Sequence, residues 1–242
     1  MKRRHLIRIS STVLLLWAIA GAQTAQSTVS AYLTLAEAPV ATLLPPPPAP
    51  GSPEDLADLE TVLWVQSRLS EAEFTDAKAH GDRPWDEFIR DVLGPHFNAV
   101  NRPETYRVLA GVRADFEAFL AAARQAYPRS RPPNRDERVR LLGTRTDIGS
   151  YPSAKVWSFY NLGLLLAELH PECRPRLEAE IRRQGWMRIW GGHHYPSDVS
   201  AGLIAGERLA RAFLSSPRFQ KELPVLRVEA ARFRSLSVSS QP

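Results

Sequence analysis

The chain has 242 residues, of which 44% are hydrophobic and 24% charged, which is enough for one domain with a sizeable core. The formal net charge is +5, but four of the 31 basic residues and no acidic residue lie in residues 1–22. The remainder carries 27 basic and 26 acidic side chains, a balance that argues against a nucleic-acid partner. Cys173 is the only cysteine, which excludes an internal disulfide, and no Cys/His cluster has zinc-ligand spacing.

The first 22 residues have the features of a secretory signal peptide. Basic side chains precede a short apolar run over residues 13–20, and the small residues at 20–22 suit a cleavage site, with a second one after Ala25. The apolar run is too short to span a bilayer comfortably. We therefore predict a secreted or periplasmic protein with no stable membrane insertion after cleavage, and a retained anchor is the alternative.

Residues 23–52 form a predicted proline-rich N-terminal arm. The segment is small and polar at first and then carries four consecutive prolines at positions 45–48, which favour an extended polyproline conformation. Such a segment can serve as a linker, or it can strap across the domain that follows. We assign that domain to residues 53–242.

Apolar residues at three- and four-residue steps predict helices over residues 56–69, 71–79, 85–93 and 103–126. Ser52, followed by a proline and two acidic residues, is typical of the start of the first helix. No alternation typical of strands reaches a convincing length, and there is no internal repeat. The sequence therefore predicts an all-α fold, a single-domain helical bundle.

The helical pattern stops between residues 127 and 151, where three prolines interrupt it. A loop of this length inside a compact domain is usually functional or disordered. It is rich in arginine, with Arg129, Arg131, Arg135, Arg138, Arg140 and Arg145.

Pro152 and Ser153 precede residues 156–169, which are apolar nearly all round and therefore predict a buried central helix. If that helix begins near Pro152, the Ser153 hydroxyl and the free N–H groups of the first turn form an anion site. An ordinary helix N-cap is the alternative role of Ser153.

A third segment of interest ends in His-His-Tyr-Pro-Ser-Asp, where Pro196 suits the first turn of a helix over residues 199–213. His194 then precedes this helix, and Asp198 lies in its first turn within side-chain reach. An imidazole held by a carboxylate can act as an oriented nucleophile or base, and Arg188 supplies a planar fork suited to phosphate. Alternatively, Asp198 only caps the helix, His194 lies at the cap and Arg188 is a surface charge.

Taken in order, the three segments resemble the motifs of the type 2 phosphatidic-acid phosphatase superfamily, which includes the vanadium haloperoxidases. Its motifs read Lys-x6-Arg-Pro, Pro-Ser-Gly-His and Ser-Arg-x5-His-x3-Asp. The corresponding blocks here are Arg124-x6-Arg131-Pro132, Pro152-Ser153-Ala154-Lys155 and Met187-Arg188-x5-His194-x3-Asp198. The Leu-Leu-Pro-Pro-Pro-Pro-Ala arm and Asp76-Ala77 resemble the secreted class A non-specific acid phosphatases, and the resemblance covers roughly residues 43–213.

The resemblance implies a helical bundle of the type 2 phosphatidic-acid phosphatase and vanadium haloperoxidase kind, whose site binds phosphate without a metal or another cofactor. It implies that His194 attacks phosphorus to form a phosphohistidine and that Asp198 orients His194. Fixed donors must then meet the charge on the phosphoryl oxygens. The implied donors are Arg124, Arg131, Arg188, Ser153 and the backbone N–H of Ala154.

Three residues depart from the family motifs. Arg124 replaces lysine and changes reach and geometry, while Ala154 replaces glycine and penalises any conformation with positive φ. Lys155 replaces the histidine that serves as general acid, and an ordinary lysine, with a pKa of about 10.4, is a poor acid. Lys155 stays a catalytic candidate, but we expect it to act chiefly as a phosphate-binding cation. His193 is a possible stand-in, although its position points it elsewhere if His194 faces the site.

We expect a periplasmic, metal-independent acid phosphatase that acts on phosphomonoesters, with activity reduced by the substitution at Lys155. The alternative is a non-catalytic phosphate-binding pseudoenzyme of the same fold. A haloperoxidase is disfavoured by the class A arm and by the loss of the histidine in the second block, and a lipid phosphatase by the lack of a multi-span pattern. The expected partner is a small phosphorylated substrate or inorganic phosphate, and the sequence does not determine the oligomeric state.

Overall fold

Helices form the regular structure of residues 30–239, the part of the chain that the computed structural model describes, with side chains described to residue 233. No strand occurs in this part, which confirms the predicted all-α class. The predicted signal peptide, residues 1–22, lies outside the described residues. The helices are α1 (Val40–Leu43), α2 (Pro53–Arg68), α3 (Glu71–Gly81), α4 (Trp85–Leu93), α5 (Pro103–Ala126), α6 (Pro132–Arg135), α7 (Ala154–Leu169), α8 (Arg174–Trp190), α9 (Pro196–Ser215), α10 (Pro217–Gln220) and α11 (Leu223–Ser239).

Each helix predicted from periodicity is present, and α4 and α5 have the predicted bounds. Ser52 is the N-cap of α2 and accepts a hydrogen bond from the backbone N–H of Asp55 at 3.2 Å, as the sequence indicates. A search of residues 30–239 finds no helix with both the length and the apolar composition needed to cross a membrane.

The long helices α8 and α11, like the single-turn helices α1, α6 and α10, have no counterpart among the predictions. In α8 the buried side chains Leu177 and Ile181 mark a core-facing stripe, but the next positions of that stripe hold Gln184 and Gly185. A short apolar stripe in a strongly charged segment gives a weak helical pattern, so the helix follows from its packing against α3 and α7.

The central pair of the fold is α7 and α9. A Cβ added at Gly202 would lie 3.0 Å from the carbonyl oxygen of Ser153, and one at Gly206 would lie 2.9 Å from Cβ of Tyr160. The two helices therefore touch backbone to backbone and run in the same direction. Their first turns start side by side, where the N–H of Ser153 donates to the carbonyl of Asp198 at 3.0 Å.

The described part of the arm is held by a buried carboxylate on α5. Asp115, only 5% exposed, accepts backbone N–H groups from Ala31 at 2.8 Å, Tyr32 at 2.7 Å and Leu33 at 2.9 Å. One carboxylate thus satisfies three consecutive donors that would otherwise lack partners.

Further along, the arm reaches the loop that precedes α7. Leu43 and Leu44 are buried in the core, and the hydroxyl of Tyr151 donates to the carbonyl of Pro45 at 2.6 Å. Residues 30–52 therefore strap across the helices, the second of the two arrangements open from the sequence.

Replacing Asp115 by alanine should lower the free energy of unfolding by about 3 kcal/mol, because three N–H groups lose their acceptor. Asp115→Asn keeps one carbonyl acceptor and should cost less. Urea unfolding followed by tryptophan fluorescence measures both, with Glu117→Ala on the exposed face of α5 as the control. Equal effects of Asp115→Ala and Glu117→Ala would contradict the conclusion that Asp115 holds the N-terminal arm against α5.

Candidate active site

The adjacent starts of α7 and α9 bring the three predicted blocks together. The block residues lie at helix ends, where backbone groups and side chains are free to face a ligand. They are Arg124 in the last turn of α5, Arg131 at the N-cap of α6, Ser153 at the N-cap of α7, Ala154 and Lys155 in the first turn of α7, Arg188 in the last turn of α8, His194 just before α9 and Asp198 in its first turn.

A tight turn carries the chain from α8 to His194. Gly192 has φ 72°, a left-handed conformation that favours glycine, and a Cβ there would lie 2.2 Å from the carbonyl oxygen of Arg140. The carbonyl of Arg188 accepts the N–H of His193 at 3.0 Å, which fixes the turn. The turn therefore fixes the backbone position of His194 relative to Arg188.

His194 is buried, and its Nδ1 lies 2.9 Å from the carbonyl oxygen of Ser150. A carbonyl only accepts, so Nδ1 carries the hydrogen and Nε2 keeps the lone pair. Burial lowers the pKa of His194 to about 4, with Asp198 opposing the effect and Arg188 and Arg131 adding to it. Above that pH the imidazole is neutral, which is the form a nucleophile needs.

Asp198 is fully buried behind His194, with Oδ2 at 3.5 Å from Nδ1 of the imidazole. Its Oδ2 also accepts the N–H of Tyr195 at 2.9 Å, so the helix-capping role left open by the sequence is present. Its Oδ1 lies 2.7 Å from Nη1 of Arg129. Burial alone would raise the pKa of Asp198, but His194 and Arg129 outweigh burial and hold it below its usual range.

Three buried donors of the predicted phosphate site have no hydrogen-bond partner among the described residues. They are Nε of Arg124, Oγ of Ser153 and Nε of Arg188. Buried polar groups are nearly always paired in native proteins, so these three donors are available to bind the oxygens of an anion. Ser153 occupies the N-cap position of α7, but its side chain makes no capping hydrogen bond.

Arg188 joins the site to the end of α3. Its Nη1 lies 3.2 Å from the carbonyl oxygen of Gly81 and 3.3 Å from Oδ1 of Asp82. Its side chain is 14% exposed, so the surface-charge alternative is wrong. Burial lowers the pKa of Arg188 although Asp82 opposes this.

Arg131 both holds neighbouring loops together through hydrogen bonds and supplies a positive charge to the candidate site. Its guanidinium donates to the carbonyls of Ile148 at 2.8 Å, His193 at 2.8 Å and Gly149 at 3.4 Å. One N–H on each terminal nitrogen remains for an anion. Burial, then the charges of Arg188 and Arg124, lower the pKa of Arg131 to about 10, so the three guanidinium groups lie close enough to interact electrostatically.

Lys155 donates a hydrogen bond from its ammonium to the carbonyl of Gly81, which also accepts from Arg188. Burial, followed by the charge of Arg188, lowers the pKa of Lys155 to about 8. Ala154 has no positive φ and simply begins α7, so the conformational penalty expected there is wrong.

A cleft of about 480 Å³ opens beside Lys155, between the start of α4, α5 and α7. Its lining combines aromatic and polar side chains, among them Trp85, Asp86, Arg113, Ser158 and Phe159. Lys155 thus has the cation cluster on one side and an open cleft on the other.

His193 is half-buried next to His194 in the chain. Burial first, then the charges of Arg188, His194, Arg131 and Lys155, lower the pKa of His193 to about 2. A histidine with this pKa stays neutral in the physiological range and holds no proton to donate there.

Sequence reasoning missed a network of charged residues behind Asp198. Arg129 reaches Asp198 at 2.7 Å, Asp58 at 2.8 Å and Asp55 at 3.0 Å, and Arg135 pairs with Asp55 at 2.8 Å. About 70 residues separate these partners along the chain, so spacing offers no signal for the pairing. Within residues 30–233, no group of three or more His, Cys, Asp or Glu side chains is arranged to hold a metal ion.

The chain is similar to several acid phosphatases, although no protein-family model matches it. It is 29% identical over 198 residues to a non-specific acid phosphatase of Salmonella typhimurium, an alignment that covers 77% of this chain and 78% of the relative. It is 27% identical over 209 residues to a non-specific acid phosphatase of Providencia stuartii, covering 79% and 81%, and 24% identical over 200 residues to an acid phosphatase of Zymomonas mobilis, covering 79% and 75%. These similarities confirm the resemblance to the non-specific acid phosphatases.

Proposed function

We propose that the protein is an acid phosphatase that hydrolyses phosphomonoesters through a phosphohistidine on His194. The observation that carries the proposal is the set of unpaired buried donors on Arg124, Ser153 and Arg188, which lies with other cations around a neutral imidazole. A phosphoryl group offers the acceptor oxygens and the negative charge that these donors lack. The names of the relatives support the same activity.

In the proposed first step, Nε2 of His194 attacks phosphorus, the bond from phosphorus to the ester oxygen breaks, and the leaving oxygen takes a proton. In the second step water attacks the phosphohistidine, the nitrogen–phosphorus bond breaks and phosphate leaves. Charge on the transferred oxygens is met by fixed donors, which raises the rate because they need no reorganisation. These donors are Arg124, Arg131, Arg188, Ser153 and the N–H of Ala154.

Lys155 is the candidate proton donor to the leaving oxygen, which the adjoining cleft would accommodate. With a pKa of about 8 it is protonated at acid pH and is a better acid than an ordinary lysine. It is a poor base for activating water in the second step at the same pH. We therefore propose reduced activity, most of all on substrates whose alcohol leaves poorly.

The alternative, a phosphate-binding pseudoenzyme, is favoured by one contact. The ammonium of Lys155 is hydrogen-bonded to the carbonyl of Gly81, which occupies one of its donors in the absence of a substrate. Secretion to the periplasm and removal of residues 1–22 are also proposed, on the features of that segment. The division into an arm over residues 23–52 and a helical domain over residues 53–242 completes the proposal.

The decisive experiment measures hydrolysis of para-nitrophenyl phosphate between pH 4 and 7. Wild type should turn over, and His194→Ala should lose at least about 10³-fold in kcat/KM because the nucleophile is gone. His96→Ala, at an exposed position outside the site, is the matched control and should keep full activity. Undiminished turnover by His194→Ala would contradict the covalent mechanism.

Vanadate and phosphate should raise the Tm, because a ligand bound only by the folded state stabilises it by about 2.7 kcal/mol at 100 times its Kd. For a chain of this size that corresponds to about 5–10 °C. Arg188→Met should abolish most of the shift, whereas Arg182→Met, an exposed position on α8, should not. A wild-type shift without turnover supports the pseudoenzyme, and no shift in folded protein contradicts both functions.

The role of Lys155 predicts a dependence on the leaving group. Wild type should favour aryl over alkyl phosphates in kcat/KM by about 10²-fold, since a phenolate leaves without much protonation. Lys155→His should raise alkyl turnover about 10-fold or more while changing aryl turnover little, and Lys155→Met serves as the comparison without a proton. Equal wild-type rates on both substrates, unaffected by Lys155→His, would assign protonation to another group.

A further inference from the structure

Arg129 lies outside the three motif blocks, yet it makes the densest set of charged contacts around the site. Its Nη1 donates to Oδ1 of Asp198 at 2.7 Å and to Oγ of Ser197 at 2.7 Å. Its Nη2 donates to Asp55 at 3.0 Å and to Asp58 at 2.8 Å. The side chain is only 7% exposed, and its guanidinium carbon lies 4.1 Å from the centre of the Tyr195 ring.

The network behind Asp198 depends on this arginine for its charge balance. Asp55, Asp58 and Asp198 are buried, and Arg135 pairs only with Asp55 among them. Arg129 contacts all three carboxylates. Burial would lower the pKa of Arg129, but the three carboxylates outweigh burial and raise it, so the guanidinium is firmly charged.

Both oxygens of Asp198 are thus engaged by groups other than His194. Arg129 occupies Oδ1, and the N–H of Tyr195 donates to Oδ2. The N–H of His194 at Nδ1 accordingly points to the carbonyl of Ser150 at 2.9 Å, while Asp198 stands farther away at 3.5 Å. A neutral carbonyl holds the ring in its tautomer without drawing a second proton onto the imidazole.

We propose that Arg129 is a positioning residue for the reaction: it neutralises and anchors Asp198, so that His194 stays a neutral imidazole with its lone pair on Nε2. Without this cation, Asp198 would carry an unshared charge beside the ring, which favours the imidazolium. An imidazolium has no lone pair for attack on phosphorus. The catalytic consequence rests on the proposed function, whereas the effect on His194 does not.

Other ionisable groups also affect the pKa values of His194 and Asp198. Arg131 and Arg188 oppose protonation of His194, and they remain in place when Arg129 is changed. Those that face His194 or Asp198 are Arg131, Arg188, His193, Tyr151 and Tyr195. The change expected on removing Arg129 is therefore a rise in the pKa of His194 from a low starting value.

The test follows the imidazole by ¹⁵N NMR of histidine-labelled protein, with the His194 signals assigned from their absence in His194→Ala. The main variant is Arg129→Met with Asp58→Asn, which removes one cation and one carboxylate and so leaves the net charge of the buried network unchanged. Arg135→Met is the matched control, because Arg135 pairs with Asp55 but not with Asp198. Wild type and Arg135→Met should show hydrogen on Nδ1 alone and a titration midpoint near 4.

In the double variant the midpoint of His194 should rise by about one pH unit or more, the usual effect of a neighbouring opposite charge. If wild type hydrolyses phosphate esters, the acid limb of kcat/KM should move to higher pH in step. An arginine with only a structural role would lower Tm and leave the midpoint and the pH profile unchanged.

An unchanged midpoint and tautomer in the folded double variant would overturn the proposal. Should that variant fail to fold, Arg129→Lys decides, because lysine keeps the charge but cannot bridge three carboxylates, and a smaller rise in the same direction is expected. No rise with Arg129→Lys would also overturn it. A protein without turnover in which the midpoint still rises would refute the phosphatase function but support the role of Arg129.

Discussion

Gly202 and Gly206 let α9 lie directly against α7, and the geometry of the site follows from that contact. Because the two helices run in the same direction and start together, Ser153 and Asp198 are joined by a backbone hydrogen bond. Two helix N-termini then open at one place, where unpaired N–H groups and helix dipoles favour an anion. A side chain at either glycine would push apart both the core and the proposed phosphate site.

The site keeps its two kinds of charge apart. Three cations, Arg124, Arg131 and Arg188, come from the motif blocks; burial lowers the pKa of Arg131, and the charges of Arg188 and Arg124 lower it further. The carboxylates lie behind, where Arg129 neutralises them. Bringing several cations close together is unfavourable, and under the proposed function a bound phosphoryl group would offset that cost.

Burial lowers the pKa of both groups proposed to act in the reaction, and this favours a nucleophile in one case and a proton donor in the other. It keeps His194 neutral and so able to attack phosphorus at acid pH. It also lowers the pKa of Lys155 to about 8, which makes this lysine a better proton donor than exposure would allow. A desolvated lysine thus recovers part of the acidity that a histidine has in water, without recovering its ability to act as a base.

Local information was enough to determine much of this protein. Helical periodicity predicted α2 to α5, α7 and α9, and the three motif blocks predicted the resemblance to acid phosphatases, because each helix and each block consists of residues close in sequence. Tertiary structure alone decided that α8 is a helix and that Arg129 pairs with Asp198. These features depend on burial and on contacts between distant segments, and neither leaves a periodic trace in the chain. Protonation states were decided in the same way, since they follow from desolvation and from neighbours that only folding brings together.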